Sequence, residues 1–449
     1  MGSNGPRVAI LSLREIRPVA NYGGLREAED ALVDALAAGL YRVVLSSPRF
    51  SRGNLAKPVV RSVLNASRVV HPYRIEHHQR RDGAPADVLL VLARDLGDAS
   101  VLVGLPGWNE LGEQVLVHIE SVTEWDLRRY ADVVGHLRRK ADALFCACEM
   151  PPLGYLRTMH GRLSTVDVVP PMLDVLAFPV REDPAHRTID VFCPGPAPAG
   201  QNQLLRSWAS LNDGSYQQNI GQLGAINSLD QHRKIFTSMA TRARVFLTNH
   251  ERYSQRRIGP TRDSHQGVNP RFYEAMAAGC VLIGDLPHGS RQFAEYVRPS
   301  TPLSFPLDAE RLPPEVQEVL DDAGHCEEMG AVARATALRR NDVVHRWKHM
   351  ITLAGIPSSP GIEARITQLA ELAGDKPAAG NASSDDPTDQ PAAAPKDGRA
   401  AAPKDQSAAA PKDQPAAAPK DQPAAAPKDQ PAGPSSNSGP SSNGAVKGQ

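Results

Sequence analysis

The chain has 449 residues, with 50 Lys and Arg side chains against 50 Asp and Glu side chains, so its formal net charge is zero. At about 100 to 200 residues per domain, this length predicts two or three domains. The balanced charge disfavours non-specific binding to nucleic acid or an anionic membrane, and the apolar runs are too short for a transmembrane segment. The N-terminus lacks the basic and then apolar layout of a secretory signal. We therefore expect a cytoplasmic protein with no nucleic-acid partner.

The five cysteines indicate neither a disulfide framework nor a metal site. Their number is odd and they lie mostly in apolar stretches of a long chain, at Cys146, Cys148, Cys193, Cys280 and Cys326. Cys146 and Cys148 would share one face of a strand, but no second pair or His cluster accompanies them. We expect no metal at this position.

Short Val, Ile and Leu runs alternate with longer helical patterns up to residue 374, which is typical of parallel α/β layers. In the first half the pattern predicts strands at residues 7–13, 41–46, 68–72, 87–92, 114–119, 142–148 and 164–169. Between the first two, apolar residues recur at helical spacing from Leu25 to Leu40, with Gly39 as a candidate C-terminal cap. This order predicts a βαβ unit.

A second α/β half follows the Pro-rich segment at residues 170–174, which interrupts any strand. The pattern restarts with predicted strands at residues 188–193, 216–220, 243–248, 281–284 and 301–305. We therefore predict an α/β fold with two Rossmann-like domains, residues 1–178 and 179–374, facing each other across a cleft. Open α/β sheets bind ligands at the carboxyl ends of their strands, so the cleft is the expected ligand site.

Residues 375–449 differ in composition from the rest of the chain. A unit of Pro, Ala, Lys, Asp and Gln repeats every eight residues, marked by Lys396, Lys404, Lys412, Lys420 and Lys428. The segment has too few large apolar side chains to offset the entropy of ordering its backbone. We predict a disordered tail that acts as a spacer or solubilising segment, with specific docking as the alternative.

The segment at residues 266–285 contains the most informative pattern in the chain. Asn269 and Pro270 are typical of a helix cap and first turn, and Gly279 would end the helix before a buried strand. Exposed amides at such a helix N-terminus suit phosphate oxygens. Glu274, one turn inside, could accept hydrogen bonds from vicinal sugar hydroxyls. A plain surface helix with a Glu in its first turn is the alternative.

Several stretches resemble one enzyme family. The sequence RFYEAMAAGCVLIGD at residues 271–285 resembles the nucleotide-sugar-binding motif of group 1, family 4-like glycosyltransferases of the GT-B fold, especially the subgroup related to spore-maturation CgeB proteins. VDVVPPMLDVLAFP at 166–179 is similar to their interdomain segment, TIDVFCPG at 188–195 to the first strand and glycine turn of their donor domain, and NDVVHRWKHM at 341–350 to their closing helix. The resemblance covers roughly residues 87–355.

The resemblance implies a retaining transfer of a sugar from a nucleotide sugar to an acceptor that the sequence does not identify. The nucleotide sugar would be a co-substrate, and no cofactor is expected. The sequence contains no Asp-x-Asp segment, so we expect cations and helix amides, without a metal, to stabilise the leaving diphosphate. Together the motif and the strand ends predict a donor-binding set of Gly195, His250, Arg257, Gln266, Asn269, Arg271, Phe272 and Glu274.

Two positions depart from the family pattern. The family has a pair of Glu residues with seven residues between them. The second Glu corresponds to Glu274, but the first falls on Gln266, which lacks the charge. The family's basic diphosphate clamp after the glycine turn is missing between residues 195 and 203. Possible substitutes are Arg256, Arg257, Arg262 and Arg271. Arg271 is the first choice because it lies at the mouth of the predicted helix.

On the acceptor side, His118 ends a predicted strand and could act as a base or orient the sugar, so we predict His118 and Glu274 as catalytic. A structural histidine is the alternative for His118, and Glu120 and Glu149 are further acidic candidates. Gly23 and Gly24 are similar to the glycine turn near the acceptor and donor phosphate, although an ordinary strand-to-helix turn is as good an interpretation.

Two other functions remain open at this point. A non-catalytic double-Rossmann protein could keep the cleft and bind nucleotide sugars, or act as a scaffold, without turnover. A nucleotide-sugar epimerase could share the fold, although no acid and base pair stands at an indicative spacing.

Overall fold

The computed structural model describes residues 5–14, 23–36, 40–46, 74–76, 85–147, 152–158, 163–179, 186–195, 197–218, 229–252 and 266–375. The strands are β1 (Val8–Ser12), β2 (Leu40–Arg42), β3 (Val44–Ser46), β4 (Arg74–Glu76), β5 (Ala86–Ala93), β6 (Gly112–Ile119), β7 (Ala143–Cys146), β8 (Thr165–Val168), β9 (Ile189–Cys193), β10 (Tyr216–Gln218), β11 (Ala243–Leu247), β12 (Glu251–Arg252), β13 (Gln266–Gly267), β14 (Val281–Gly284) and β15 (Leu303–Ser304).

The α-helices in this part of the chain alternate with the strands and then close the fold as a C-terminal group. They are α1 (Gly23–Leu36), α2 (Leu96–Val103), α3 (Glu124–Arg129), α4 (Ala131–Lys140), α5 (Pro152–Arg157), α6 (Ala199–Leu211), α7 (Leu229–Arg242), α8 (Pro270–Ala277), α9 (Pro314–Asp321), α10 (Ala323–Arg340), α11 (Val343–Leu353) and α12 (Pro360–Leu372).

Two parallel sheets form the centre of the fold. The first has the strand order β2-β1-β5-β6-β7-β8 and the second has the order β10-β9-β11-β14-β15. Every neighbouring pair in both sheets is parallel, with Val8 opposite Val88 in the first and Val245 opposite Val281 in the second. The predicted α/β class with two such sheets is confirmed.

One predicted strand is wrong in its extent. The run at residues 41–46 is divided at Val43, whose amide donates to the carbonyl oxygen of Ile10 at 2.9 Å. Before this point β2 pairs in parallel with β1; after it β3 pairs antiparallel with β4, which the sequence pattern did not reveal. The predicted strand at 68–72, the cap at Gly39 and the tail from residue 376 lie outside the described residues.

The apolar core is continuous between the two halves. Each sheet has one face covered by helices of its own half, which form two separate clusters of buried side chains. The other faces share a third cluster, in which α1 and the C-terminal helices pack together with residues such as Leu32, Phe236 and Trp347. Both sheets accordingly belong to one compact unit, Met1–Asn381. The domain boundary between residues 178 and 179 stays a prediction.

The C-terminal helices return to the first half of the chain. At Gly361 in α12, a β-carbon would lie only 2.0 Å from the carbonyl oxygen of Ala35 in α1, so this contact requires glycine. The amide of Val343 at the start of α11 donates to the carbonyl oxygen of Leu173 at 2.7 Å. These contacts attach the end of the fold to both α1 and the segment that connects the sheets.

Cys193, Cys280 and Cys326 are buried free thiols, and Cys146 is also buried. Cys148 lies outside the described part of the chain. None of the helices described for this chain is both long and apolar enough to cross a membrane.

Candidate active site

The helix predicted from the central motif forms as α8, Pro270–Ala277. The Asn269 side chain caps its N-terminus by accepting from the amide of Arg271 at 3.0 Å, and Gly279 ends it with a φ of +68°, which favours glycine. The amide of Phe272 donates to the carbonyl oxygen of Asn269 at 3.0 Å. The first-turn amides expected to receive phosphate oxygens are therefore already bonded within the helix.

Glu274 lies in the interior and faces two arginines. It is 5% exposed, its Oε1 lies 2.6 Å from Nη1 of Arg233, and its Oε2 lies 2.7 Å from Nη1 of Arg271. The Arg271 guanidinium also lies over the Phe236 ring, 4.3 Å from its centroid. Positive charge at this helix mouth thus comes from two guanidinium groups.

The charges in this cluster stabilise one another. Burial would raise the pKa of Glu274, but Arg271 and Arg233 together hold it below its usual value. Burial would lower the pKa of Arg233, yet the carboxylates of Glu274 and Glu27 raise it. Arg233 and Glu274 are therefore both charged at neutral pH.

The first half of the chain contributes the N-terminal part of α1 to the same site. A β-carbon at Gly24 would lie 3.7 Å from Oε1 of Glu274. Three residues later, Glu27 accepts from Arg233 at 2.6 Å and 3.1 Å. A cavity of about 210 Å³ opens beside this ion pair, between α1 and α7. Arg233 thus joins the two halves at the predicted cleft.

A polar network lies at the carboxyl ends of β11 and β14. Asn249 accepts from the amide of Asp285 at 2.7 Å and donates to Gln201 at 3.0 Å, while Nδ1 of His250 lies 3.1 Å from the carbonyl oxygen of Asp285. The strands approach so closely that a β-carbon at Gly284 would lie 1.8 Å from the carbonyl oxygen of Thr248. This network places amide and imidazole groups at the strand ends where α/β sheets bind ligands.

The other expected donor-binding residues have different surroundings. Gly195 follows β9, and a β-carbon there would meet no atom within 4 Å. Phe272 is fully buried and packs edge to face with Phe293, so it supports the core and cannot contact a donor in this conformation. Gln266 begins β13, whose backbone alone is described, and Arg257 lies outside the described residues together with Arg256 and Arg262.

His118 lies inside the first sheet, away from any surface. It is 0% exposed, and its Nε2 lies 3.4 Å from the carbonyl oxygen of Val169. Burial lowers the pKa of His118 to about 4, so the ring is neutral at physiological pH. This placement favours the structural alternative over the predicted catalytic role, because a fully buried ring cannot be reached by the substrate that accepts the sugar.

Glu120 directly follows β6, and the charge of Glu274 acts on it. It is partly buried, it accepts from the amide of Met172, and burial followed by the charge of Glu274 raises its pKa to about 8. An uncharged carboxyl group at this position can donate a hydrogen bond. Of the two further acidic candidates, Glu120 is the one that the structure describes, because Glu149 lies outside the described residues.

Sequence analysis missed Arg233 and Glu27. Both lie on amphipathic helices, where charged residues normally face solvent, and 41 residues separate Arg233 from Glu274. The sequence held one indication of such residues. The family's basic diphosphate clamp is missing between residues 195 and 203, so the cations had to come from elsewhere in the chain. Among the residues described, no group of three or more His, Cys, Asp or Glu side chains could hold a metal ion.

Comparison with known solved structures found distant likenesses. HepE from Anabaena, solved in complex with UDP and glucose, is 13% identical over 78% of this chain and 100% of that chain, with a TM-score of 0.44. WaaG, a glycosyltransferase involved in lipopolysaccharide biosynthesis, is 12% identical over 78% and 99%, with a TM-score of 0.37. TM-scores below 0.5 do not establish a shared fold; the two parallel sheets themselves define the α/β fold of this chain.

Comparison at the sequence level gives one partial match. No curated protein matches the chain. A family model described as "Glycosyl transferase-like" matches residues 203–352, one third of the chain. The matched segment contains Arg233, Arg271 and Glu274, so the likeness to glycosyltransferases coincides with the charged cluster.

Proposed function

We propose that the protein is a glycosyltransferase of the hexosyltransferase type, which moves a sugar from a nucleotide-sugar donor to an unidentified acceptor. The observation that carries this proposal is the buried cluster of Arg233, Arg271 and Glu274 at the cleft, opposite the N-terminal part of α1. The family-model match to the same segment supports it. Retention of the anomeric configuration and transfer without a metal or cofactor are part of the proposal.

The arginines are assigned to the leaving diphosphate. A planar guanidinium group binds phosphate oxygens in a bidentate manner and keeps its charge in a buried site. Glu274 holds Arg233 and Arg271 in place, since both of its oxygens already accept from them. Its remaining lone pairs are available to sugar hydroxyls, the role expected from the sequence.

The strand-end network is assigned to the nucleotide and its sugar. Asn249, His250 and Asp285 present donors and acceptors at the carboxyl edge of the second sheet. Glu120 is assigned to the acceptor side as a carboxyl group that can donate a hydrogen bond. The division of the site between both halves suits a reaction that must hold two substrates together.

The decisive test is incubation of the full chain with a panel of nucleotide sugars, with and without added divalent cations. We expect release of nucleoside diphosphate from one donor class, by slow hydrolysis in the absence of acceptor, without any need for metal. Glu274→Ala should abolish the release while circular dichroism shows a folded protein. Arg242→Gln, an exposed change on the same helix as Arg233, is the matched control.

A non-catalytic nucleotide-sugar-binding protein is the second candidate, because Gln266 replaces the first family carboxylate. That candidate predicts protection against heat by UDP or GDP, with no diphosphate released from any donor. If no nucleotide protects the protein against heat and no donor of the panel releases a diphosphate, both candidates are rejected.

A further inference from the structure

A second charged cavity lies beside the segment that connects the two sheets. It has a volume of about 250 Å³ and we name it the Arg346 pocket; its lining is Val169, Pro170, Glu295, Tyr296, Arg340, His345, Arg346 and His349. Cavities for drug-sized ligands are usually about 300 Å³ or larger. This one suits a small ion rather than a nucleotide.

Arg346 is a buried cation without a carboxylate partner. It is 2% exposed, and its hydrogen bonds go to the carbonyl oxygen of Arg340 at 3.0 Å and to Oδ1 of Asn341 at 2.9 Å. The guanidinium lies 4.2 Å from the centroid of the Tyr296 ring. No carboxylate in the described part of the chain forms an ion pair with it, although the charges of Glu295 and Asp342 attract it from farther away, and its Nε has no hydrogen-bond partner there. A buried charge is normally paired in direct contact, and this cation has no such contacting counter-ion among the described residues.

The remaining lining groups leave a positive balance in the pocket. Arg340 adds a second guanidinium, whose Nη1 donates to the carbonyl oxygen of Glu295. His349 is paired with Asp167 at 3.2 Å, and His345 is neutral because burial lowers its pKa. Glu295 is the one carboxylate of the described lining, and its Oε2 lies 3.5 Å from Nε of Arg291. The lining therefore carries two arginines, Arg340 and Arg346, but only one carboxylate, Glu295, which is already paired with Arg291.

We propose that the Arg346 pocket is a binding site for a small oxyanion of the size of phosphate, with the Arg346 guanidinium as its main ligand. The anion supplies the missing acceptor for Nε and a counter-charge in direct contact, and the lining residue Arg340 adds attraction. Because Val169 and Pro170 line the pocket, the bound anion ties α11 to the connection between the sheets. This site is separate from the proposed donor site and does not depend on the proposed function.

The test is a calorimetric titration of the full chain with inorganic phosphate at constant ionic strength, with potassium chloride as the control salt. We expect saturable binding to one site with a Kd on the order of 1 mM. Arg346→Met should abolish this binding. Arg340→Gln should weaken it about tenfold, and Glu295→Gln should tighten it several-fold, because these changes remove one attractive or one repulsive charge.

Two controls locate the site. Arg339→Gln changes the neighbouring exposed arginine, which pairs with Asp375, and should leave phosphate binding unchanged. Arg233→Met removes a cation of the proposed donor site, so a loss of phosphate binding in this variant alone would assign the bound phosphate to that site instead. Sulfate and acetate titrations identify which oxyanion the pocket prefers.

The proposal is overturned if phosphate, sulfate and acetate all fail to bind the wild-type protein. It is equally overturned if phosphate binding is lost in Arg233→Met but kept in the pocket variants. Should Arg346→Met not fold, the opposite shifts expected for Arg340→Gln and Glu295→Gln decide the matter, since a structural role for Arg346 alone predicts no change in either.

Discussion

At the scale of single residues, the site depends on how three charged side chains share their hydrogen bonds. Glu274 receives one short contact from each of Arg233 and Arg271, and Arg233 also binds Glu27 with two nitrogens. Charge-assisted hydrogen bonds of this kind are about twice as strong as neutral ones, but they must offset the cost of burying each charge. Removal of one member therefore leaves the others uncompensated.

Arg233→Met is expected to destabilise the protein in a pH-dependent way. Arg271 and Arg233 lower the pKa of Glu274, so this carboxylate adds stability above its unfolded-state pKa and loses it as the pH falls through the folded-state value. Without Arg233, the carboxylates of Glu27 and Glu274 face each other with less compensation. The deficit in unfolding free energy relative to wild type should be largest near pH 7 to 8 and shrink toward pH 4.

Differential scanning calorimetry at several pH values measures this deficit, which should reach about 3 kcal/mol at neutral pH. The control is Arg242→Met, an exposed arginine on the same helix that donates to the hydroxyl of Thr188. A deficit of equal size at every pH would show that Arg233 contributes through packing alone.

Glu120→Gln is expected to have the opposite pH dependence. Burial raises the pKa of Glu120 to about 8, and nearby Glu274 and Asp98 add to the effect while Arg94 opposes it. The wild-type protein therefore loses stability as the pH rises from about 4.5 to 8, whereas the variant has no carboxyl group to titrate there.

Urea unfolding at pH 5, 6.5 and 8.5 compares the two proteins, with Glu113→Gln, an exposed change in the strand that precedes Glu120, as the control. The midpoint of Glu120→Gln relative to wild type should rise across this series. A constant difference would mean that the carboxyl group of Glu120 titrates outside this range.

At the scale of elements, local patterns predicted the helices that carry the site. Leu25, Ala28 and Leu32 are buried along one face of α1, as their spacing indicated, and α8 begins and ends at the expected cap and glycine. The division of residues 41–46 into β2 and β3 was not predictable, because it depends on which distant strands are available for pairing. Likewise, no local pattern indicated how closely β14 approaches β11.

Gly284→Ala is expected to destabilise the protein by about 3 kcal/mol, since its β-carbon would overlap the carbonyl oxygen of Thr248 and force the strand ends apart. Chemical denaturation measures the loss. Gly195→Ala is the matched control at another strand end, where a β-carbon meets nothing, and it should change stability by less than about 0.5 kcal/mol. Equal effects of the two substitutions would contradict a close approach of β11 and β14.

At the scale of the whole molecule, the C-terminal helices hold the connection between the sheets through one buried ion cluster. Arg365 of α12 donates to Asp342 at 2.8 Å and 3.0 Å and to Asp174 at 2.7 Å. Asp342 is 0% exposed and also accepts from the amide of Val175 in the connection. The helices that follow the second sheet thereby fix the segment that leaves the first.

Arg365→Met is expected to cost about 3 kcal/mol of unfolding free energy, because it leaves Asp342 buried without its cation. Lys348→Met breaks the exposed pair between Lys348 and Glu363 and should cost less than about 1 kcal/mol. Thermal unfolding of both variants measures the difference. Similar small losses would show that the Asp342 cluster does not hold the connection.

The amino-acid sequence by itself determined the α/β class, the positions of most strands along the chain, the helix with Glu274 and the Pro-rich break between the halves. These features follow from local periodicity, caps and turns, which act over a few residues. Only the tertiary structure brought Arg233 and Glu27 to Glu274, placed His118 in the core and left Arg346 without a carboxylate. Those outcomes depend on which distant surfaces pack together, because burial and charge pairing are properties of the assembled chain rather than of any short segment.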